Sequence, residues 1–252
     1  MDSGPGERAN KTRHRKLVAL VAVAVCAIIG LLYLAGYALE WHRALVARRL
    51  LGELKRLQVG KTTEAQIRKL SAQYARRYSP QNPQNPIGEP ASYQVLVENP
   101  FIVIADSART LPGRRSWGFV VDLKVDRGYL SEIYGSMVVF RSDGFVLSSS
   151  VNLTGRTNLL GVPEEPYYVS EGIITGPPGE DLNVRLSPSA TAEERKKGFD
   201  FNFSCLTAFR ECRHVCETMP SAWRDLTSQP NLAGRLRWKD GRPVNDYSEC
   251  GQ

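Results

Sequence analysis

Apolar and polar positions follow three rhythms along this chain. The first is unbroken: Leu17 to Leu39 is a run of 23 residues without a charge. At a rise of about 1.5 Å per residue such a run crosses a hydrocarbon core about 30 Å thick. A cleaved signal peptide has an apolar core of only about 7 to 15 residues, so the small-x-small exit Gly36-Tyr37-Ala38 does not outweigh the length of the run. A lipoprotein signal places a small residue before its cysteine, whereas Cys26 follows Val25 and reads as a small apolar filler. Tyr33, Tyr37 and Trp41 fall four apart near the end of the run, where amphipathic rings favour the headgroup layer. Lys16 and Arg43 bracket the run, so Lys16, Tyr37, Trp41 and Arg43 are the expected membrane-interface residues.

The second rhythm is helical. Val46, Leu50, Leu54 and Leu57 recur at four, four and three, with Arg48, Arg49, Glu53, Lys55 and Arg56 between them. This predicts an amphipathic juxtamembrane stalk whose apolar face packs on the following domain or on a second copy; a helix lying on the bilayer is the alternative. Gly60 fits a helix C-terminus that needs a left-handed residue. Thr63 with Gln66 makes a capping-box start for a second helix, with Ile67, Leu70, Tyr74 and Tyr78 on one face. The string Leu57-Gln58-Val59-Gly60-Lys61-Thr62-Thr63, running on through Ile67 and Leu70, resembles the L-x-V-G-x-T helix start of the small outer-membrane lipoproteins of the barrel-assembly machinery. The resemblance covers residues 57–78, comes without a lipid-attachment cysteine, and carries no function with it. A phosphate-loop reading of Gly60-Lys61-Thr62 fails because Lys55 stands where the motif needs its first glycine and the preceding pattern is helical.

Residues 79–92 carry Pro80, Pro83, Pro86 and Pro90 and read as a stiff spacer. The third rhythm, of period two, begins behind it. Tyr93, Val95 and Val97 alternate with polar residues, as do Phe119, Val121, Leu123 and Val125. Met137 to Arg141 and Phe145 to Ser149 flank Ser142-Asp143-Gly144 as a hairpin. Further strands are expected at Tyr167 to Ile174, Leu182 to Ser187 and Phe199 to Cys205. Helical signals follow over Thr207 to Thr218 and from Pro220 through Trp223 and Leu226. Helices after strands indicate an α+β fold, an antiparallel β-rich domain built as a sandwich or as one curved sheet with helices on a face. The expected organisation is a disordered basic tail (1–16), a transmembrane helix (17–39), juxtamembrane helices (40–78), the spacer (79–92) and a β-rich domain with C-terminal helices (93–252).

Charge changes this picture in one respect. The formal net charge of +7 looks like a nucleic-acid signal until it is divided. Residues 1–16 hold five Lys/Arg against two acids, residues 40–78 ten against three, and residues 79–252 eighteen against twenty-one. The positive excess flanks the apolar run, where anionic headgroups attract it, and nucleic-acid binding loses its warrant. Lys/Arg counts on the two sides of the run are tied, so the positive-inside rule does not orient it. Cysteines break the tie: Cys205, Cys212, Cys216 and Cys250 lie together near the C-terminus, an even set that suits an oxidising compartment. The expected topology is a cytoplasmic N-terminus and an extracytoplasmic C-terminal domain.

Those four cysteines and His214 are the densest chemical constellation. Structural disulfides are the favoured reading, with three possible pairings; on a regular helix Cys212 and Cys216 would each pair elsewhere. Zinc is the rival, but the C-x2-C spacing is absent. A cysteine nucleophile with His214 as base would need partners from separate segments. No G-x-S-x-G, H-E-x-x-H or G-x-G-x-x-G motif occurs and none calls for a cofactor. Glu164-Glu165 and Glu180-Asp181 sit in loops, and Tyr167, Tyr168 and Trp117 could line a sugar or peptide groove. Asn152 and Asn202 head glycosylation sequons. The sequence therefore points to a noncatalytic envelope interaction, scaffold or ligand-sensing module. Its partners would be the bilayer and either another envelope protein or a second copy meeting the juxtamembrane helix. The alternative is a membrane-anchored hydrolase of envelope polymers using loop carboxylates.

Overall fold

A computed structural model describes residues 5–74, 91–98, 116–141, 145–155, 167–170, 179–207 and 212–228. The chain divides into two compact units, Met1–His42 and Arg43–Gln252. The first is the N-terminal part of one long helix, α1 (Pro5–Leu54). Leu20, Val23, Leu31, Leu32 and Leu34 are all exposed, so this stretch is apolar on every side, long and apolar enough to cross a membrane by length and composition. The helix starts at Pro5, not at residue 17; the basic segment expected to be disordered continues the helix upstream of the apolar run.

The second unit begins earlier than the sequence pattern indicates. Ala44, Ala47, Leu50, Leu51 and Leu54 of α1 are buried in the same core as the sheet, with Val46 and Leu57 packed against it. The juxtamembrane stripe is thus the first core helix of the domain rather than a stalk ahead of it, and its apolar face is not left over for a second copy. Gly60 turns the chain at φ +77°, and its amide donates to the Leu130 carbonyl at 2.8 Å. Helix α2 (Glu64–Tyr74) follows. Its start is capped as expected, the Gln66 side chain accepting from the Thr63 amide at 2.9 Å, and Ile67 and Leu70 are buried. The spacer prolines Pro80, Pro83, Pro86 and Pro90 lie outside the described residues.

Six strands form one sheet: β1 (Ala91–Glu98), β2 (Ser116–Asp126), β3 (Tyr129–Phe140), β4 (Val146–Thr154), β5 (Tyr167–Ser170) and β6 (Gly179–Leu186). Their order is β1-β2-β3-β4-β6-β5. All neighbours are antiparallel except β4 and β6, which run parallel. The fold is α+β, and of the two architectures expected it is the single sheet with helices on a face, not a sandwich. The hairpin between β2 and β3 turns on Arg127 (φ 52°) and Gly128 (φ 81°), the paired positive φ values of a two-residue hairpin turn. The register gives rows of core residues across the sheet, such as Tyr93, Leu123, Ile133, Leu153 and Leu186. The opposite face carries the row Gln94, Asp122, Tyr134, Asn152 and Arg185, as a half-wet antiparallel sheet should.

After β6 come α3 (Ala192–Gly198), α4 (Val215–Thr218) and α5 (Pro220–Ser228). The expected strand Phe199 to Cys205 is absent. Phe199, Phe201 and Phe203 are all buried, but the segment lies across the helix-bearing face of the sheet instead of pairing within it. Phe203 and Phe201 each meet Phe119 edge-on with ring centroids 5.3 Å apart. Backbone bonds tie the segment to both flanking helices: the Phe199 amide donates to the Arg195 carbonyl of α3 at 3.0 Å and the Asn202 amide to the Thr218 carbonyl of α4 at 2.8 Å. Of the helix expected over Thr207 to Thr218, residues 208–211 lie outside the described residues; α4 starts only after His214, which is extended (φ −138°, ψ 158°).

If the end of α1 is core, Leu54→Ala should cost about 2 to 5 kcal/mol of stability, while Arg48→Ala on its exposed face should stay within about 0.5 kcal/mol. Urea unfolding of the detergent-solubilised chain, followed by fluorescence of the buried Trp117 and Trp223, measures both. Equal costs would return this segment to a stalk.

Candidate functional site

The core face of the sheet is apolar except at one corner. Ser149 on β4 and Glu180 on β6 are buried at positions that continue rows of hydrophobic residues: Phe119, Met137, Ser149 and Leu182 in one, Trp117, Val139, Leu147 and Glu180 in the next. A buried carboxylate survives there only if its oxygens are engaged. Both are: Glu180 Oε1 meets His214 Nδ1 at 2.7 Å, and Glu180 Oε2 accepts from the Val215 amide at 3.0 Å. The carboxylate thus caps the first turn of α4 from outside the helix, a favourable place for negative charge.

Ser149 serves the other end of the same turn. Its hydroxyl hydrogen-bonds the Thr218 hydroxyl, which donates in turn to the Val215 carbonyl at 2.8 Å. From the end of β3, Arg141 Nη1 donates to the Arg213 carbonyl at 2.7 Å. Residues 213–218 are therefore fastened to three strands through polar groups.

Four candidate cysteines were expected here, and the structure places three. Cys205 and Cys212 form a disulfide with Cα atoms 5.1 Å apart. Cys216 is buried and also disulfide-bonded, so Cys212 and Cys216 do pair elsewhere than with each other. Cys250 lies outside the described residues. Cys26 is free and exposed. Oxidised sulfurs are neither metal ligands nor nucleophiles, which removes the zinc and thiolate readings for Cys205, Cys212 and Cys216.

The chain matches no family model, no curated protein and no solved structure.

A Glu–His pair is two of the three members of a nucleophilic triad, yet the hydroxyls nearest in the network, Ser149 and Thr218, are fully buried and bonded to each other. Beside the disulfide a cleft of about 10 Å³ is lined by Trp117, Val139, Phe140, Arg141, Leu206 and both cysteines. That is room for about one water molecule, and the buried Trp117 Nε1, which has no partner among the described residues, is a donor for it. Among the described residues this arrangement clamps α4 to the sheet.

Other residues singled out by sequence find structural roles. Trp117 is core, 1% exposed; it lines the one-water cleft from inside and is not at the surface where a sugar or peptide would lie. Asn152 is in mid-strand, its Nδ2 donating to Glu132 Oε1 at 3.0 Å. Asn202 donates to the Glu217 carbonyl at 2.8 Å and accepts from the Ser204 amide at 3.0 Å. Neither amide is presented for glycosylation. Glu180 and Asp181 face opposite sides of the sheet, and Glu164-Glu165 lies outside the described residues. Lys16, Tyr37 and Trp41 are exposed along α1, and Arg43 is half-buried where the second unit begins.

A second polar cluster joins α2 to β1. Arg68 Nη2 pairs with Glu64 Oε1 at 2.7 Å, and the Tyr93 hydroxyl donates to the same oxygen at 2.5 Å. The Tyr93 hydrogen bond, then Arg68, holds the Glu64 carboxyl below its ordinary value of 4.5. Burial, reinforced by Glu64, raises the Tyr93 phenol. A lowered carboxyl pKa adds stability above the unfolded value and loses it as pH falls through the folded one.

Glu180→Ala leaves the buried Val215 amide without an acceptor and should cost about 1 to 3 kcal/mol, with Glu180→Gln milder; thermal unfolding distinguishes them. Tyr93→Phe should be less stable than wild type at neutral pH, with the gap closing as pH drops below 4.5; urea midpoints across an acid series test the sign.

Proposed function

We propose that this chain is a single-pass membrane-anchored protein whose C-terminal domain faces an oxidising, extracytoplasmic compartment and acts there as a noncatalytic interaction or scaffold module. The observation that carries the reading is the Cys205–Cys212 disulfide at the polar corner. Its two sulfurs are buried among core residues of a domain that shares a helix with the apolar run, and such bridges persist where thiols are not kept reduced. Support for a noncatalytic role comes from the same corner: the cysteines, His214 and Glu180, the residue types able to do chemistry, are engaged in holding α4 to the sheet. Among the described residues no observation favours the hydrolase reading, since Glu180 already serves His214 and Val215. By count, Cys250 is the cysteine left for Cys216.

Labelling of intact cells with a membrane-impermeant maleimide, with and without reductant, tests the orientation. The expected result is labelling of the C-terminal cysteines only after reduction, without breaching the membrane, and a non-reducing peptide map with Cys205–Cys212 and Cys216–Cys250 bridges. Labelling that needs a breached membrane but no reductant would overturn the proposed compartment.

A further inference from the structure

The cleft beside the Cys205–Cys212 bridge brings hydrogen-bond donors together without a matching acceptor. Trp117 on β2 and Arg141 just past β3 line it with Val139, Phe140, Leu206 and the bridged cysteines. None of these side chains carries an oxygen. Trp117 is 1% exposed, and its indole N–H has no hydrogen-bond partner among the described residues. A buried donor in that state is costly, and a native fold commonly supplies it with a water or an ion.

Arg141 adds a permanent positive charge to the same wall. Its Nη1 donates to the Arg213 carbonyl at 2.7 Å, and its guanidinium carbon stands 5.2 Å from the centre of the Phe145 ring. The group is therefore held in place. Its Nε is buried as well, which gives the residues of the cleft a second enclosed N–H. Phe140 on the lining is 44% exposed and Arg141 is half-buried, so solvent reaches the cleft.

Size and sign then select the occupant. With room for about one water molecule, the cleft excludes sulfate, phosphate and carboxylates. A water brings two hydrogens that need acceptors, which the lining side chains do not offer. A monatomic anion accepts from the N–H groups and has no hydrogens to place. The acids of this corner are already engaged: Glu180 by His214 and the Val215 amide, and Glu217 by the Arg213 amide at 3.1 Å. Glu180 also stands three strands from Trp117 along one cross-strand row, about 14 Å at the usual strand spacing.

We infer that this cleft is a binding site for a single halide ion such as chloride, held by the Trp117 indole N–H and the charge of Arg141. The ion ties β2 to the end of β3 beside the bridge, and so stabilises the corner that seats α4. The inference rests neither on the membrane-anchored reading of α1 nor on the compartment of the domain.

The test unfolds the full chain by heat in nonionic detergent at constant ionic strength, while sodium gluconate, whose anion is too large for the cleft, is replaced by sodium chloride. The melting temperature should rise saturably by about 2 to 4 °C, and bromide should act likewise. Trp117→Phe removes the donor, and Val139→Leu fills the cleft while leaving both donors in place; each should lose the chloride dependence. Broadening of the chloride NMR line by the wild-type chain, saturable and displaced by bromide, reports the ion directly and needs no variant. Equal melting temperatures in the two salts overturn the inference, since a fixed water answers to no anion. A chloride effect that survives at full size in either variant also overturns it, as a general salt effect, and so does broadening that bromide does not displace.

Discussion

A single sheet with one apolar face must have that face covered across its full width, and every other feature of this domain answers to that requirement. The rows running from Tyr93 to Leu186 and from Val95 to Val184 are hydrophobic from one strand to the next. Exposed to water they would cost about 25 cal/mol for each Å² of apolar surface. The chain covers them from both of its ends: the last turns of α1 and α2 from the N-terminal side, the phenylalanine-bearing segment and the helices α3 to α5 from the C-terminal side. Polar ties lock these covers to one another. Arg195 of α3 donates to the Leu57 carbonyl at 2.7 Å, with its guanidinium lowered in pKa by burial, and Lys197 reaches Asp225 of α5 at 2.9 Å.

The polar corner is the exception that keeps this cover in one place. Apolar contact is non-directional, and a four-residue helix such as α4 has too little surface to choose its own seat on a flat hydrophobic face. Ser149 and Glu180 break the apolar rows at the two points where the ends of α4 present unpaired groups. Leaving either buried group unpaired costs more than the bond itself contributes, so the corner discriminates against wrong placements more strongly than it stabilises the right one. The disulfide acts in the same direction by tying Cys205 to Cys212 next to that seat.

Much of this is legible in the sequence where one local rule governs. The apolar run, the Thr63–Gln66 helix start, the turn at Gly60, the register-defining alternations and Pro220 at the head of α5 are each set by neighbours in sequence. The capping box Thr191 to Glu194 carries the same kind of signal and announces α3, which hydrophobic periodicity alone does not reveal. Sequence and structure part where a pattern has two physical causes. Alternation at Phe199, Phe201 and Phe203 marks any extended segment with one buried side, whether or not it pairs in a sheet. The stripe at Leu50 and Leu54 marks a packed helix without naming what it packs on, so the proline-rich spacer looks like the domain boundary that in fact falls at Arg43. The corner is beyond reach because Glu180 and His214, 34 positions apart, are brought together only by the fold, and adjacent acids in sequence look solvated until β6 sends one of them inward.

Sharing one core between the two ends of the domain sets the order of synthesis against the order of folding. Leu50 and Leu54 leave the ribosome among the first core residues, while the segment that fastens α4 is among the last. The Leu57–Arg195 contact alone spans 138 positions, so loop closure has to be met before the non-local contacts can offset it. Until then the apolar side of the nascent helix has no protein partner, and it lies in the same helix as a stretch fit for lipid. The interval between synthesis of that helix and closure of the core is thus the time at which this chain is most exposed to mispairing, and the bridge to Cys205 can form in its native context only when that interval ends.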